Sequence, residues 1–315
     1  MIYIGASVRL YQNTSRTGAA KTPWFFALTG PMTVFKKGPT TPDSSFYESN
    51  PPVTAAKAST TAPVKKTPPP SVHAIPVTAR AYVVGNVATG KIYFESNAST
   101  ALSVASISKL ITAFVAIDTI PLETVITITP EQAALSPDKS NLLAGEQFTA
   151  ETLLLPLLLS SSNVAAEALA SSIDRTKFLD LMSSYAWEVG MPSTFFADAS
   201  GLSPQNVASA RDIFALAKYL YTYRQNVLAI TRTLHTELAT TTLHGFHVID
   251  STHPLAIEPG FIGGKTGRTT EAGETMITII KVNDEPIALI VLGSRYGERE
   301  RDTRILLEKV EKILR

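Results

Sequence analysis

The chain contains no cysteine, which excludes disulfides, thiolate zinc sites and cysteine nucleophiles together. The same absence leaves the compartment open, because a protein without thiols works equally well inside or outside a reducing cytosol. Charge of one sign is also missing. Lys+Arg 28 against Asp+Glu 27 gives a net charge of +1, with no basic block able to neutralise a run of phosphates, so no nucleic-acid partner is expected. Histidine is sparse, and of the five at positions 73, 235, 244, 247 and 253 only His244 and His247 share metal-like spacing. With no carboxylate triad beside them, an ordinary surface turn is expected there and no metal. A long apolar run is lacking as well. The stretch from Pro23 to Phe35 is interrupted by Gly30-Pro31 and falls short of the about 20 residues a spanning helix needs. It suits the length of a signal core, yet it begins late and no small-residue cleavage site follows it. Residues 1–37 are therefore expected to be a membrane-targeting or anchoring segment, with a loosely ordered tail as the alternative.

What is present divides the chain. Nine of the twenty prolines fall between Gly38 and Pro76, among Thr, Ala, Ser and Lys. Such density blocks helix and central strand and favours an extended spacer, so residues 38–78 are expected to be a linker. From Ala79 the composition becomes that of a globular domain, expected to span 79–315. Ala81–Val87 and Lys91–Glu95 read as a hairpin around Ala88-Thr89-Gly90, and Thr275–Val282 and Pro286–Gly293 as a second around Asn283-Asp284-Glu285. Residues 299–315 read as a closing helix. The intervening stretch is mostly helical in pattern, most clearly over Leu153–Ala170 and Ala210–Leu220. Strands at both ends with helices between them predict an α/β (α+β) fold: one antiparallel sheet built from both termini of the domain, flanking helices and an inserted helical lobe.

Three short elements carry chemistry. Ser106-Ile107-Ser108-Lys109 opens an amphipathic stretch in which Ile107, Leu110, Ile111 and Phe114 recur at helical spacing. At i and i+3 the lysine lies beside the serine hydroxyl, and a partly desolvated lysine can act as the base that activates it. A small residue on a packed helix is the plainer alternative. Ser136-Pro137-Asp138-Lys139 repeats the spacing but reads as a helix cap with proline at the first helical position. Ser161-Ser162-Asn163 closes the run Leu153–Leu159 and must either cap a helix or face a cleft. Gly263-Gly264-Lys265-Thr266-Gly267 lets backbone pass close to a ligand while its cation and hydroxyl hold a carboxylate. A phosphate loop would need a helix to follow, and none does.

Taken together, Ser-x-x-Lys, Ser-x-Asn and Lys-Thr-Gly resemble the penicillin-binding serine enzymes. The chain is similar over residues 79–315 to the low-molecular-mass penicillin-binding proteins, the serine-type D-Ala-D-Ala carboxypeptidases of the β-lactamase/transpeptidase-like fold. Thr89-Gly90-Lys91, Asn163–Ala170, Gly190-Met191, Ser200-Gly201-Leu202, Ala210-Arg211-Asp212 and Lys265–Gly273 look like stretches of that family in the same order. The resemblance implies Ser106 as acylated nucleophile and Lys109 as its base. Ser161 would relay a proton to the leaving group, and Asn163 would orient Lys109 and the substrate amide. Lys265 and Thr266, within Lys265-Thr266-Gly267-Arg268, would bind the terminal carboxylate, with the N–H groups of Ser106 and Arg268 as oxyanion hole. It implies no cofactor, peptidoglycan stem peptides as substrates, β-lactams as covalent inhibitors, and action outside the cytoplasm, facing the cell wall or periplasm, with membrane association through the N-terminus. D,D-endopeptidase action on cross-links, a β-lactamase of the same fold and a non-catalytic wall-binding module stand as alternatives. Against the lactamase, the stretch Phe195–Leu202 holds Asp198, a turn residue by its context, where a deacylating glutamate would be needed. Two departures from the family pattern are Ser162, where glycine is usual, and Ser251-Thr252-His253, where Asn-Thr-Asn is frequent. The domain closes on its last helix, where many carboxypeptidases of the family continue into a second β domain.

Overall fold

The computed structural model describes residues 75–135 and 138–315, all within the unit Pro68–Arg315. The expected N-terminal segment 1–37, most of the linker, and Ser136 and Pro137 lie outside the described residues. In chain order the elements are β1 (Ala81–Asn86), β2 (Ile92–Ser96), β3 (Leu102–Ser103), a 3₁₀ turn (Ala105–Ser108), α1 (Lys109–Thr119), β4 (Val125–Thr127), α2 (Pro130–Ala133) and β5 (Gln147–Thr149). Then follow α3 (Ala150–Leu158), α4 (Asn163–Ser171), α5 (Arg175–Glu188), β6 (Val207–Ala208), α6 (Ala210–Tyr223), α7 (Gln225–Thr231), β7 (His235–Leu238) and β8 (His247–Asp250). The chain closes with β9 (Phe261–Thr269), β10 (Gly273–Val282), β11 (Glu285–Ser294) and α8 (Arg299–Leu314).

The main sheet has the order β2-β1-β11-β10-β9 and is antiparallel throughout, so the two ends of the domain build one sheet. Both expected hairpins form. In the second, Val282 pairs with Glu285, leaving Asn283 and Asp284 at φ 48° and 64°. A two-residue hairpin turn demands this left-handed pair, and Asn and Asp tolerate it best among residues with side chains. Both sheet faces are covered. Ile277, Ile279, Ala288 and Ile290 join the core shared with the helical lobe, while Met276, Leu289 and Val291 pack with Leu306 and Val310 of α8. Burial on both faces is why β10 and β11 read as continuous apolar runs.

Ahead of Ala79, Ile75 and Val77 already pack on the α8 side of the sheet, and Thr78 donates to buried Asp302 from its N–H at 2.9 Å and its hydroxyl at 2.7 Å.

The helical pattern over Leu153–Ala170 is two helices. Pro156 inside α3 leaves its carbonyl to the Ser160 hydroxyl at 3.1 Å and the Ser162 N–H at 2.9 Å, Ser161 takes φ 65°, and Ser162 caps α4. Serine hydroxyls compete for helical backbone partners, and three in succession end one helix and start another. Asp138 and Lys139 likewise do not open a helix. The Asp138 carboxylate is used across the fold, at the start of α4.

Candidate active site

Ser106 occupies the 3₁₀ turn and Lys109 is the first residue of α1. In a 3₁₀ turn side chains three apart eclipse, which brings the Lys109 Nζ to 3.0 Å from the Ser106 Oγ. Lys109 is fully buried, whereas Ser106 is half-buried and borders a cleft of about 620 Å³. The Nζ also reaches the Asn163 Oδ1 at 2.7 Å and the Ser200 carbonyl. Both of those partners are acceptors, so a neutral amine donates its two protons to them and turns its lone pair to the Ser106 hydroxyl. Burial supplies that neutral amine. Desolvation lowers the Lys109 pKa from 10.5 to about 7 against the opposing attraction of Asp198, Asp138 and Glu167.

The turn 198–201 braces this pair from one side. Asp198 accepts from the N–H groups of Ser200, Gly201 and Ser203, so its carboxylate is engaged in the turn, as its sequence context implies. Gly201, at φ 82°, presses so closely that a Cβ there would lie 2.1 Å from the Ala105 carbonyl oxygen. From the lobe side, the break between α3 and α4 presents Ser161 to the cleft and Asn163 to Lys109. Ser162 points away, buried: it caps the Ala165 N–H at 3.0 Å and donates to Asp138 at 2.7 Å. The glycine usual at that place is thus replaced by a side chain with a structural partner.

β9 forms the opposite wall. Gly267 lets it run against Ser106, since a Cβ there would stand 2.9 Å from the Ser106 nitrogen. Thr266 borders the cleft and shares a hydrogen bond of 2.9 Å with Thr252, in the stretch that departs from Asn-Thr-Asn. Lys265 is buried beneath, donating to the Thr266 carbonyl at 3.0 Å. Burial first, then the neighbouring cations Lys109 and Arg299, push its pKa well below 10.5. His253, also buried, donates from Nε2 to the Ile277 carbonyl at 3.0 Å and accepts the Leu255 N–H at Nδ1 at 3.2 Å. Desolvation lowers its pKa to about 3, Lys265 and Arg299 adding to the effect, so the ring stays neutral.

The structure therefore brings Ser106, Lys109, Ser161, Asn163, Lys265, Thr266, Gly267 and Arg268 around one cleft, with the two lysines behind its surface. Sequence reasoning missed Arg299, which borders the cleft and donates to the Gly267 carbonyl at 2.9 Å. Within the charged run of α8 it reads as one more solvated arginine, and no local signal marks it. His247 corrects the expectation of a surface turn: it is buried on Glu146 at 3.0 Å, and His244 stacks on Phe148. Among the described residues no cluster of three metal-ligating side chains occurs, and no helix is long and apolar enough to cross a membrane. The apolar stretch 23–35 lies outside those residues.

Residues 66–296 match the family described as D-alanyl-D-alanine carboxypeptidase. The chain belongs to that family. This D-Ala-D-Ala peptidase is 31% identical over 214 residues to a D-alanyl-D-alanine endopeptidase of Pseudomonas aeruginosa, covering 65% of this chain and 68% of that one. It is 25% identical over 225 residues to the D-alanyl-D-alanine carboxypeptidase DacF of Bacillus subtilis, covering 69% and 57%. Among solved structures it superposes on penicillin-binding protein D2 of Listeria monocytogenes, in an ampicillin-bound form, with a TM-score of 0.65 at 28% identity over 76% of this chain and 98% of that one. The peptidase is a serine-type hydrolase of the cell-wall class, and its action is extracytoplasmic.

Proposed function

We propose that the enzyme hydrolyses the terminal D-Ala-D-Ala bond of peptidoglycan stem peptides through an acyl-enzyme on Ser106. The observation that carries this reading is the wholly buried Lys109 amine, its pKa lowered by desolvation, at 3.0 Å from a serine hydroxyl that opens on a cleft. Lys109 takes the Ser106 proton as Oγ bonds to the D-alanyl carbonyl carbon. The N–H groups of Ser106 and Arg268 receive the developing oxyanion. The C–N bond then breaks, and the departing D-alanine nitrogen takes a proton through the Ser161 hydroxyl. Water hydrolyses the ester, returning Ser106 and the shortened peptide. The substrate carboxylate is held by Thr266 and by the cations Lys265 and Arg299. Lys265 contacts no carboxylate among the described residues, so an incoming one supplies the counter-charge that burial withholds.

The P. aeruginosa relative supports a second reading, cleavage of D,D cross-links at the same site, since there the leaving amine belongs to another peptide instead of free D-alanine. A β-lactam, which carries a strained amide and a carboxylate in the same relation, acylates Ser106 as a substrate mimic. With Asp198 spent on its turn, the penicilloyl ester has no dedicated base in that stretch and persists, which favours peptidase over β-lactamase. The N-terminal segment 1–37 serves membrane targeting or anchoring, and the proline-rich stretch from 38 is a spacer that ends where Ile75 and Val77 pack on the catalytic domain. Incubation with a fluorescent penicillin followed by peptide mapping tests the assignment: label is expected on Ser106, and label retained by a folded Ser106→Ala protein overturns it.

A further inference from the structure

Ser161 and Asn163 flank a residue whose side chain has turned its back on the cleft. Ser162 is fully buried, and its hydroxyl donates to the Asp138 Oδ2 at 2.7 Å while accepting the Ala165 N–H at 3.0 Å. The same Oδ2 accepts the Val164 N–H at 2.9 Å. The other carboxylate oxygen accepts the Ser140 N–H at 2.7 Å and the Ser140 hydroxyl, and Ser140 is itself buried and 2.9 Å from the Ser162 Oγ. One carboxylate, arriving from the connection between α2 and β5, thus grips the first turn of α4 through side chain and backbone alike.

The grip constrains the residues on both sides. Ser161 sits at φ 65°, a left-handed conformation that costs a residue with a Cβ about 1 kcal/mol and persists only when its surroundings enforce it. Asn163 is the first residue of α4, and its Oδ1 holds Lys109 at 2.7 Å. Glycine, the usual residue of the family at 162, offers no hydroxyl for such an anchor. We propose that Asp138 is a positioning residue of the acyl-transfer site, acting through Ser162 to fix Ser161 and Asn163 against Lys109. The assignment rests on the acyl-enzyme reading above.

Asp138 also contributes charge. Lys109 faces Asp138, Asp198 and Glu167, which favour its proton, and Lys265, which opposes it. Removing the Asp138 charge therefore favours the neutral amine and moves the acid limb of acylation to lower pH, whereas a purely structural loss leaves the limb in place.

The test is fluorescent-penicillin acylation of the full chain, with the limiting rate and the half-saturating concentration read separately across pH 5–9. Asp138→Asn is expected to lower the limiting rate about tenfold or more and to shift the acid limb downward. Ser162→Ala is expected to lower the limiting rate with the limb unmoved, and the double variant to be no slower than Asp138→Asn, because both act along one path. Wild-type rates in either single variant, additive losses in the double, or an unmoved limb in Asp138→Asn overturn the assignment. If Asp138→Asn does not fold, the limiting rate of Ser162→Ala decides alone. Label that maps away from Ser106 defeats the acyl-enzyme reading, whereas label on Ser106 at an unchanged rate defeats only the role of Asp138.

Discussion

Replacing Asn163 by aspartate puts a negative charge where a neutral oxygen now stands 2.7 Å from the Lys109 Nζ. At that separation a unit charge pair is worth about 1.5 kcal/mol in bulk water and about 6 kcal/mol at an effective dielectric of 20. Lys109 is fully buried, so the watery value is a floor. Divided by about 1.4 kcal/mol per pKa unit, the new carboxylate raises the Lys109 pKa by one unit at least and about four at most. Burial now sets the Lys109 pKa at about 7. The limiting rate of penicillin acylation should therefore rise through pH 7 in the wild type, and in Asn163→Asp the same inflection should appear at about pH 8 or above. At neutral pH the variant should acylate about fivefold slower or worse, recovering in alkaline buffer. A height change alone would only report the lost amide. The position of the inflection is the test, and an inflection that stays put, or a wild-type rate flat from pH 5.5 to 9, would refute the claim that a neutral Lys109 is the base.

Lys109→Ala should fold yet acylate about 10²–10⁴-fold slower, while Ser136→Ala, altering the other Ser-x-x-Lys, should label normally in a gel assay. Penicillin adducts should last minutes or longer, and Asp198→Asn should not shorten or prolong them through loss of a base; rapid turnover that collapses in that variant would favour a β-lactamase. His253 has a depressed folded-state pKa: the fold keeps it neutral while the unfolded chain takes a proton below 6.5, so stability is full above pH 6.5 and drains as pH falls towards 3. Between pH 7 and about 4 the loss is roughly 3 kcal/mol, and urea midpoints should show a correspondingly shallower acid decline in His253→Gln. A chain beginning at Ala79 should still bind penicillin, yet unfold about 1–3 kcal/mol more easily than one beginning at Ser71, because it strands buried Asp302 without Thr78; equal midpoints would show that the two bonds contribute nothing.

The sheet was legible because its strands are local and strongly patterned: two hairpins, each with turn residues suited to it, at the two ends of one domain. Ser106 and Lys109 were legible for the same reason, being three residues apart in an apolar run. The break at 159–162 was not, since Leu153–Ala170 keeps helical periodicity across it, and it shows only in the bonds that Ser160 and Ser162 make to the Pro156 carbonyl and that Ser162 makes to Asp138. Sequence alone determined the family, the sheet and the residue types of the site, because those depend on spacing and side-chain chemistry. Tertiary structure decided the rest. Whether Lys109 is a base depends on its burial and on Ser200, 91 positions away; whether Arg299 meets the cleft depends on where α8 starts against β9; and whether Asp138 lies in a helix of its own or holds the start of α4 depends on a contact across 26 residues. Desolvation and long-range hydrogen bonds are properties of the packed chain, and no local pattern carries them.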